Sequence, residues 1–177
     1  EKKIAEKTLD ILKTSSWSEL SLDKALKNNK NKKINIKSKF DLLKNINRYV
    51  DDTLVCKIRS IENSSTKDML FEALMARFDI LELNRKSFLE IYKTFKKKPQ
   101  YFINLLPSFL ESMIVTAELS NYNVNGLKGA VRLKGLMLIY FITFFQWMDD
   151  KSSSLEKTMT ALDKNLDQAE KLGKLFL

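Results

Sequence analysis

Histidine is absent from the 177 residues, and cysteine occurs once, at Cys56. A Cys/His zinc site and any His-based nucleophile system are therefore excluded. No intrachain disulfide can form, which fits a reducing compartment. Two pairs of adjacent carboxylates, Asp51-Asp52 and Asp149-Asp150, fall at helix ends or on polar faces and read as solvated surface. Glu72 and Asp79 stand at i, i+7 on one helical face and read as its wet side. General acid–base catalysis would need a tuned Glu or Lys, and nothing in the pattern points to one. With only four Gly, there is no Gly-rich loop to cradle a phosphate. No catalytic residue, metal or cofactor is expected, and the chemistry left to the chain is binding.

Charge is the strongest binding signal. Lys and Arg number 31 against 22 Asp and Glu, a net charge of +9. Residues 1–60 carry 15 basic and 8 acidic side chains, while the remaining 117 carry 16 and 14. Between Lys24 and Arg48 stand Lys27, Lys30, Lys32, Lys33, Lys37, Lys39 and Lys44, with Asp41 the one acid. Such a cluster is either the footprint of a phosphate-rich partner or a solvated Lys/Asn-rich loop.

The elements that must position these residues read as helices almost throughout. Hydrophobic residues make up 44% of the chain, and four Gly with two Pro cannot supply the turns of an all-β fold. Residues 2–13 favour a helix. Ser18 or Ser21 can cap a short one running to about Lys27, with Leu22, Ala25 and Leu26 inward. Residues 28–37 are the least regular stretch. Ser38 can cap a long helix to about Ile61, with the stripe Leu43, Ile46, Val50, Leu54, Ile58 and Ile61. Ser65 and Asp68 have capping-box spacing before a helix that buries Leu70, Phe71, Leu74, Met75, Phe78 and Leu81. Lys96-Lys97-Lys98 then Pro99 end one helix and open the next, which Pro107 should kink. The helix over 127–148 reads as the most apolar, although its uncharged part, Gly135 to Met148, is shorter than the ~20 residues that span a bilayer. The last helix carries Leu155, Met159, Leu162, Leu166 and Leu172 on one stripe. The expected fold class is all-α. No basic-then-apolar signal segment opens the sequence.

Certain of these segments resemble the TetR family of bacterial transcriptional regulators. Trp17 followed by Ser21-Leu22-Asp23-Lys24-Ala25-Leu26 is similar to the opening of the family's helix-turn-helix, and Ser38-Lys39-Phe40-Asp41-Leu42-Leu43 to the start of its fourth helix. Between them the chain departs from the family: it is shorter, lacks the turn Gly, and has Ile34 and Ile36 where aromatic anchors would stand. The run from Trp147 to Asp150, followed by Leu155 and the segment 158–163, looks like the C-terminus of a proteobacterial subgroup.

The resemblance implies a TetR-like architecture, with a helix-turn-helix-like DNA-binding domain over 1–45 and a ligand-binding and dimerisation domain over 46–177. It implies double-stranded DNA as partner, met by Lys24, Lys30, Lys32, Lys33, Ser38 and Lys39. The Ser38-Lys39 opening would aim backbone N–H groups and an ammonium at phosphate. It also implies a cytoplasmic homodimer through the last two helices and a small hydrophobic ligand. Phe71, Met75, Phe78, Phe102, Phe109, Met113, Tyr140 and Phe144 are the candidate ligand-binding residues, although from the sequence alone the same residues read first as a plain aromatic core. The alternative is a TetR-fold lipid-binding accessory protein of the ubiquinone-biosynthesis type, meeting a membrane surface and without sequence-specific DNA binding.

Overall fold

The computed structural model describes residues 1–27, 35–58 and 64–176. Among them are eight helices and no strand: α1 (Lys2–Leu12), α2 (Leu22–Leu26), α3 (Lys39–Ile58), α4 (Thr66–Glu82), α5 (Arg85–Lys97), α6 (Pro99–Leu119), α7 (Gly126–Asp149) and α8 (Glu156–Phe176). The all-α expectation holds. The chain packs as two compact units. One combines Glu1–Thr53 with Ile80–Phe109, the other Leu54–Asp79 with Leu110–Leu177.

The first unit forms around α1, which packs on α2 and α5. Ile4, Ala5, Leu9 and Leu12 recur at helical spacing and are buried with Trp17, Leu20, Ala25, Leu42, Leu43, Ile46, Ile91 and Leu105. Its polar groups are matched inside. Ser87 Oγ donates to the Leu9 carbonyl at 2.6 Å, and Asn47 Nδ2 donates to the Ser108 carbonyl at 3.0 Å.

In the second unit Leu74, Phe78, Met113, Trp147 and Leu162 are fully buried. Phe78 stacks on Tyr140 at 5.6 Å between centroids, and Phe144 lies 5.3 Å from Trp147. Ser65 caps the start of α4: the Asp68 amide donates to Ser65 Oγ at 3.2 Å, and the Ser65 hydroxyl donates to the Asp68 carboxylate at 2.6 Å. Glu72 and Asp79 are exposed, and Asp79 pairs with Lys57 at 2.8 Å. Lys67 of α4 reaches Asp163 and Asp167 of α8. Cys56 is exposed on α3.

Several expectations are corrected. Asp150 is not solvated surface: it is 1% exposed. Its carboxylate accepts the Ser152 amide and hydroxyl at 3.0 and 2.6 Å, and the Thr158 amide and hydroxyl at 2.8 and 2.9 Å. It therefore ties the end of α7 to the first turn of α8. Burial alone would raise its pKa, but these bonds more than offset that and hold the carboxyl far below its ordinary range. Met159 and Leu172, at 41% and 55% exposed, leave the buried stripe of α8, which is Leu162 and Leu166 preceded by Leu155. Phe71 and Met75 are half-buried, not buried. Pro107 does not interrupt α6; its ring faces solvent, and the helix runs through. Among the described residues, the helix long and apolar enough to cross a membrane is α6, not α7, where Lys128, Arg132 and Lys134 intervene. The inner side of α6 carries the buried hydroxyls of Ser108, Ser112 and Thr116, and Ser120 just past its end is buried too. Ile61 lies outside the described residues.

A close backbone approach fixes the start of α7. A Cβ on Gly129 would sit 2.0 Å from the Val124 carbonyl carbon, whereas one on Gly135 would meet nothing within 4 Å. Gly129→Ala should thus destabilise by about 2 kcal/mol or more, since main chain must move. Gly135→Ala should raise stability by up to about 1 kcal/mol by helix propensity. Urea unfolding measures both. Asp150→Ala should cost about 3 kcal/mol near neutral pH, because buried donors lose a charged acceptor. The Asp150 contribution is whole above its unfolded pKa of about 3.9 and is lost as pH falls below that value. Thermal melts of the two proteins should therefore converge in acid.

Candidate nucleic-acid interface

The basic first unit is organised by two N-terminal caps. Ser21 Oγ accepts the Lys24 amide at 3.2 Å and starts α2. Lys24 itself is exposed on α2. Ser38 and Asp41 cap α3 reciprocally. The Asp41 amide donates to Ser38 Oγ at 3.2 Å, and the Asp41 carboxylate accepts the Lys37 amide, the Ser38 amide and the Ser38 hydroxyl at 2.9–3.0 Å. The Lys37 amide bond, with the Ser38 bonds and the Lys44 charge, keeps the Asp41 carboxyl below its usual range. The exposed opening of α3 thus already holds an anion of its own.

Lys39 is turned inward. Its ammonium donates to the Trp17 carbonyl at 2.7 Å and the Ser18 carbonyl at 3.4 Å, and lies 5.7 Å from the centroid of the Trp17 ring. The Trp17 amide in turn donates to Glu90 Oε1 at 3.3 Å. Burial pushes the Lys39 pKa down, and the nearby Lys98 charge adds to the effect. Lys30, Lys32 and Lys33 lie outside the described residues.

Beside Lys39 is a group that the sequence reading did not assemble. Phe40 of α3 stacks on Tyr101 of α6, 6.2 Å apart and nearly parallel. Lys44 lies over the Phe40 ring at 5.1 Å, Lys98 over the Tyr101 ring at 5.8 Å, and Lys96 over the Tyr92 ring at 5.6 Å. Lys96, Lys97 and Lys98 read from sequence only as cations ending a helix. The available signal was the recurrence of Tyr and Lys around that helix end.

The candidate ligand residues divide between the units. Phe102 and Phe109 lie in the first, half-buried and 6.0 Å apart. Phe71, Met75, Phe78, Met113, Tyr140 and Phe144 lie in the second, where Phe78, Met113 and Tyr140 are buried and Arg77 stacks on Tyr140 at 5.4 Å.

A capped short helix, a connector and a long capped helix, followed by five more helices of which the last two pack together, make a TetR-like fold. The TetR transcriptional regulator from Nitrosomonas europaea ATCC 19718 has a solved structure similar to this chain, with a TM-score of 0.72 at 17% sequence identity, over 95% of this chain and 96% of that one. No family model and no curated protein matches the sequence.

Lys39→Met keeps the aliphatic stem and removes the ammonium. It should lower unfolding stability by about 1 kcal/mol through loss of the charged bonds to two main-chain carbonyls. A variant as stable as the parent in urea would show that those bonds contribute nothing.

Proposed function

We propose that the protein is a TetR-like transcriptional regulator, not an enzyme, acting in the cytoplasm as a homodimer on double-stranded DNA. A small hydrophobic ligand among the aromatic residues of the second unit shifts its DNA affinity. The observation that carries the reading is the end-to-end likeness in fold to a regulator, spanning nearly all of both chains.

The surface of α7 supports the dimer. Leu127, Val131, Leu138, Ile142 and Phe145 are all exposed, and at 100° per residue they fall on one stripe, interrupted by Lys134. Leu127 is 88% exposed and Leu138 59%. A lone subunit leaves this stripe in water; a twofold mate with the same stripe removes it. A twofold dimer then reads half-sites roughly 34–36 Å apart.

One observation favours the lipid-binding accessory reading: the amides at the α3 opening, which a phosphate would use, are taken by Asp41. Binding to anionic vesicles without binding to DNA would select it.

Light scattering should give twice the chain mass at micromolar concentration. A labelled duplex should bind with an affinity that falls steeply as salt rises. Leu138→Glu with Phe145→Glu should yield a helical monomer with at least tenfold weaker DNA binding. Absence of binding to any duplex at low salt overturns the proposal.

A further inference from the structure

We infer that the α3–α5–α6 patch around the Phe40–Tyr101 stack is a second phosphate-contacting surface, in which Lys44 and Lys98 grip the backbone of duplex DNA independently of the 28–37 connector. The inference rests on the DNA-binding reading and extends it to a part of the chain outside the helix-turn-helix-like segment.

Three observations carry it. Lys44, Lys96, Lys97 and Lys98 are exposed, and among the described residues no carboxylate lies within ion-pair distance of any of them. Asp41, the acid of this region, is held in the α3 cap. Asp41 feels the Lys44 charge without pairing to it, so these cations outnumber the acid beside them, and an approaching polyanion relieves their mutual repulsion. Second, the patch is built. The stacked rings set two ammonium groups beside one rigid aromatic pair, one from α3 and one from the α5–α6 junction. Third, Lys39, the lysine that the α3 opening offers by position, is occupied by the Trp17 and Ser18 carbonyls, whereas Lys44 and Lys98 lie exposed over the stacked rings.

The chemistry favours a nucleic-acid backbone over a lipid surface. The rings are half-buried and stacked, so the patch offers ammonium groups without a protruding apolar chain. The exposed Ile103 is two residues past Tyr101, about 200° around α6 and so on the other side of the helix. Lysines are point charges suited to phosphate. They position a duplex without reading its bases, so their loss should weaken all sequences alike.

The test uses the full chain, duplexes of two unrelated sequences and a range of salt concentrations. Lys44→Ala with Lys98→Ala should flatten the log K against log salt slope by about 1.8 and weaken binding at 0.1 M salt roughly 50-fold on both duplexes. Lys44→Arg with Lys98→Arg should keep the parental slope. Lys157→Ala with Lys164→Ala on exposed α8 positions should do the same. Unchanged melting temperatures exclude misfolding as the cause. If the parent binds DNA and the double alanine variant binds with the same slope, the patch is overturned and the regulator reading stands. If the parent binds no duplex, both fall. If the substitutions weaken only binding to phosphatidylserine vesicles, the surface faces a membrane and the inference is wrong.

Discussion

An ammonium held by two main-chain carbonyls sets the geometry of the first unit. Lys39 on Trp17 and Ser18 pins the first residue of α3 to the segment between α1 and α2. Once that residue is placed, the 3.6-residue repeat places the others: Phe40 meets Tyr101, Leu42 and Leu43 enter the core, and Lys44 reaches the edge of the aromatic pair. The reciprocal Ser38–Asp41 cap defends the same starting point from the other side. Moving the start of α3 by one residue would rotate every one of these side chains by about 100°. The basic surface is therefore a consequence of the core register, not an addition to it.

A basic surface and an apolar one arise from different parts of the chain. The lysines gathered beside the Phe40–Tyr101 stack belong to the first packing unit, and the uncovered apolar stripe belongs to α7 in the second. Neither is explained by the needs of a folded monomer. Unpaired cations gain little from each other, and large exposed apolar side chains in one line lose water-free burial that the fold could otherwise have provided.

Local signals were legible where the partner lies within a turn. The caps at Ser21, Ser38 and Ser65 and the buried stripe from Leu43 to Ile58 follow from spacing alone, because both ends of each interaction are encoded three or four residues apart. What could not be read depends on distance along the chain. Asp150 looks like surface until Thr158, eight residues on, is brought back against it. Lys98 looks like a helix-ending cation until Tyr101 stacks on Phe40. Met159 fits the periodicity of α8, yet periodicity states that a residue shares a helical face, not whether the protein or the solvent covers that face. The candidate ligand residues were legible as large and apolar, while their division between two units required the fold.

The connection from α7 to α8 has a consequence for how the protein opens. Leu155 has a φ of 54°, a left-handed conformation costing an L-residue roughly 1–2 kcal/mol, and its side chain is buried. That backbone state is sustained by burial on one side and by the bonds that Asp150 accepts on the other. If Asp150 releases Thr158, Leu155 relaxes, and the relaxed turn no longer aims α8 along α7. The two helices should therefore be lost together as a single cooperative segment in native-state hydrogen exchange, with no stage at which α8 peels away from an intact corner.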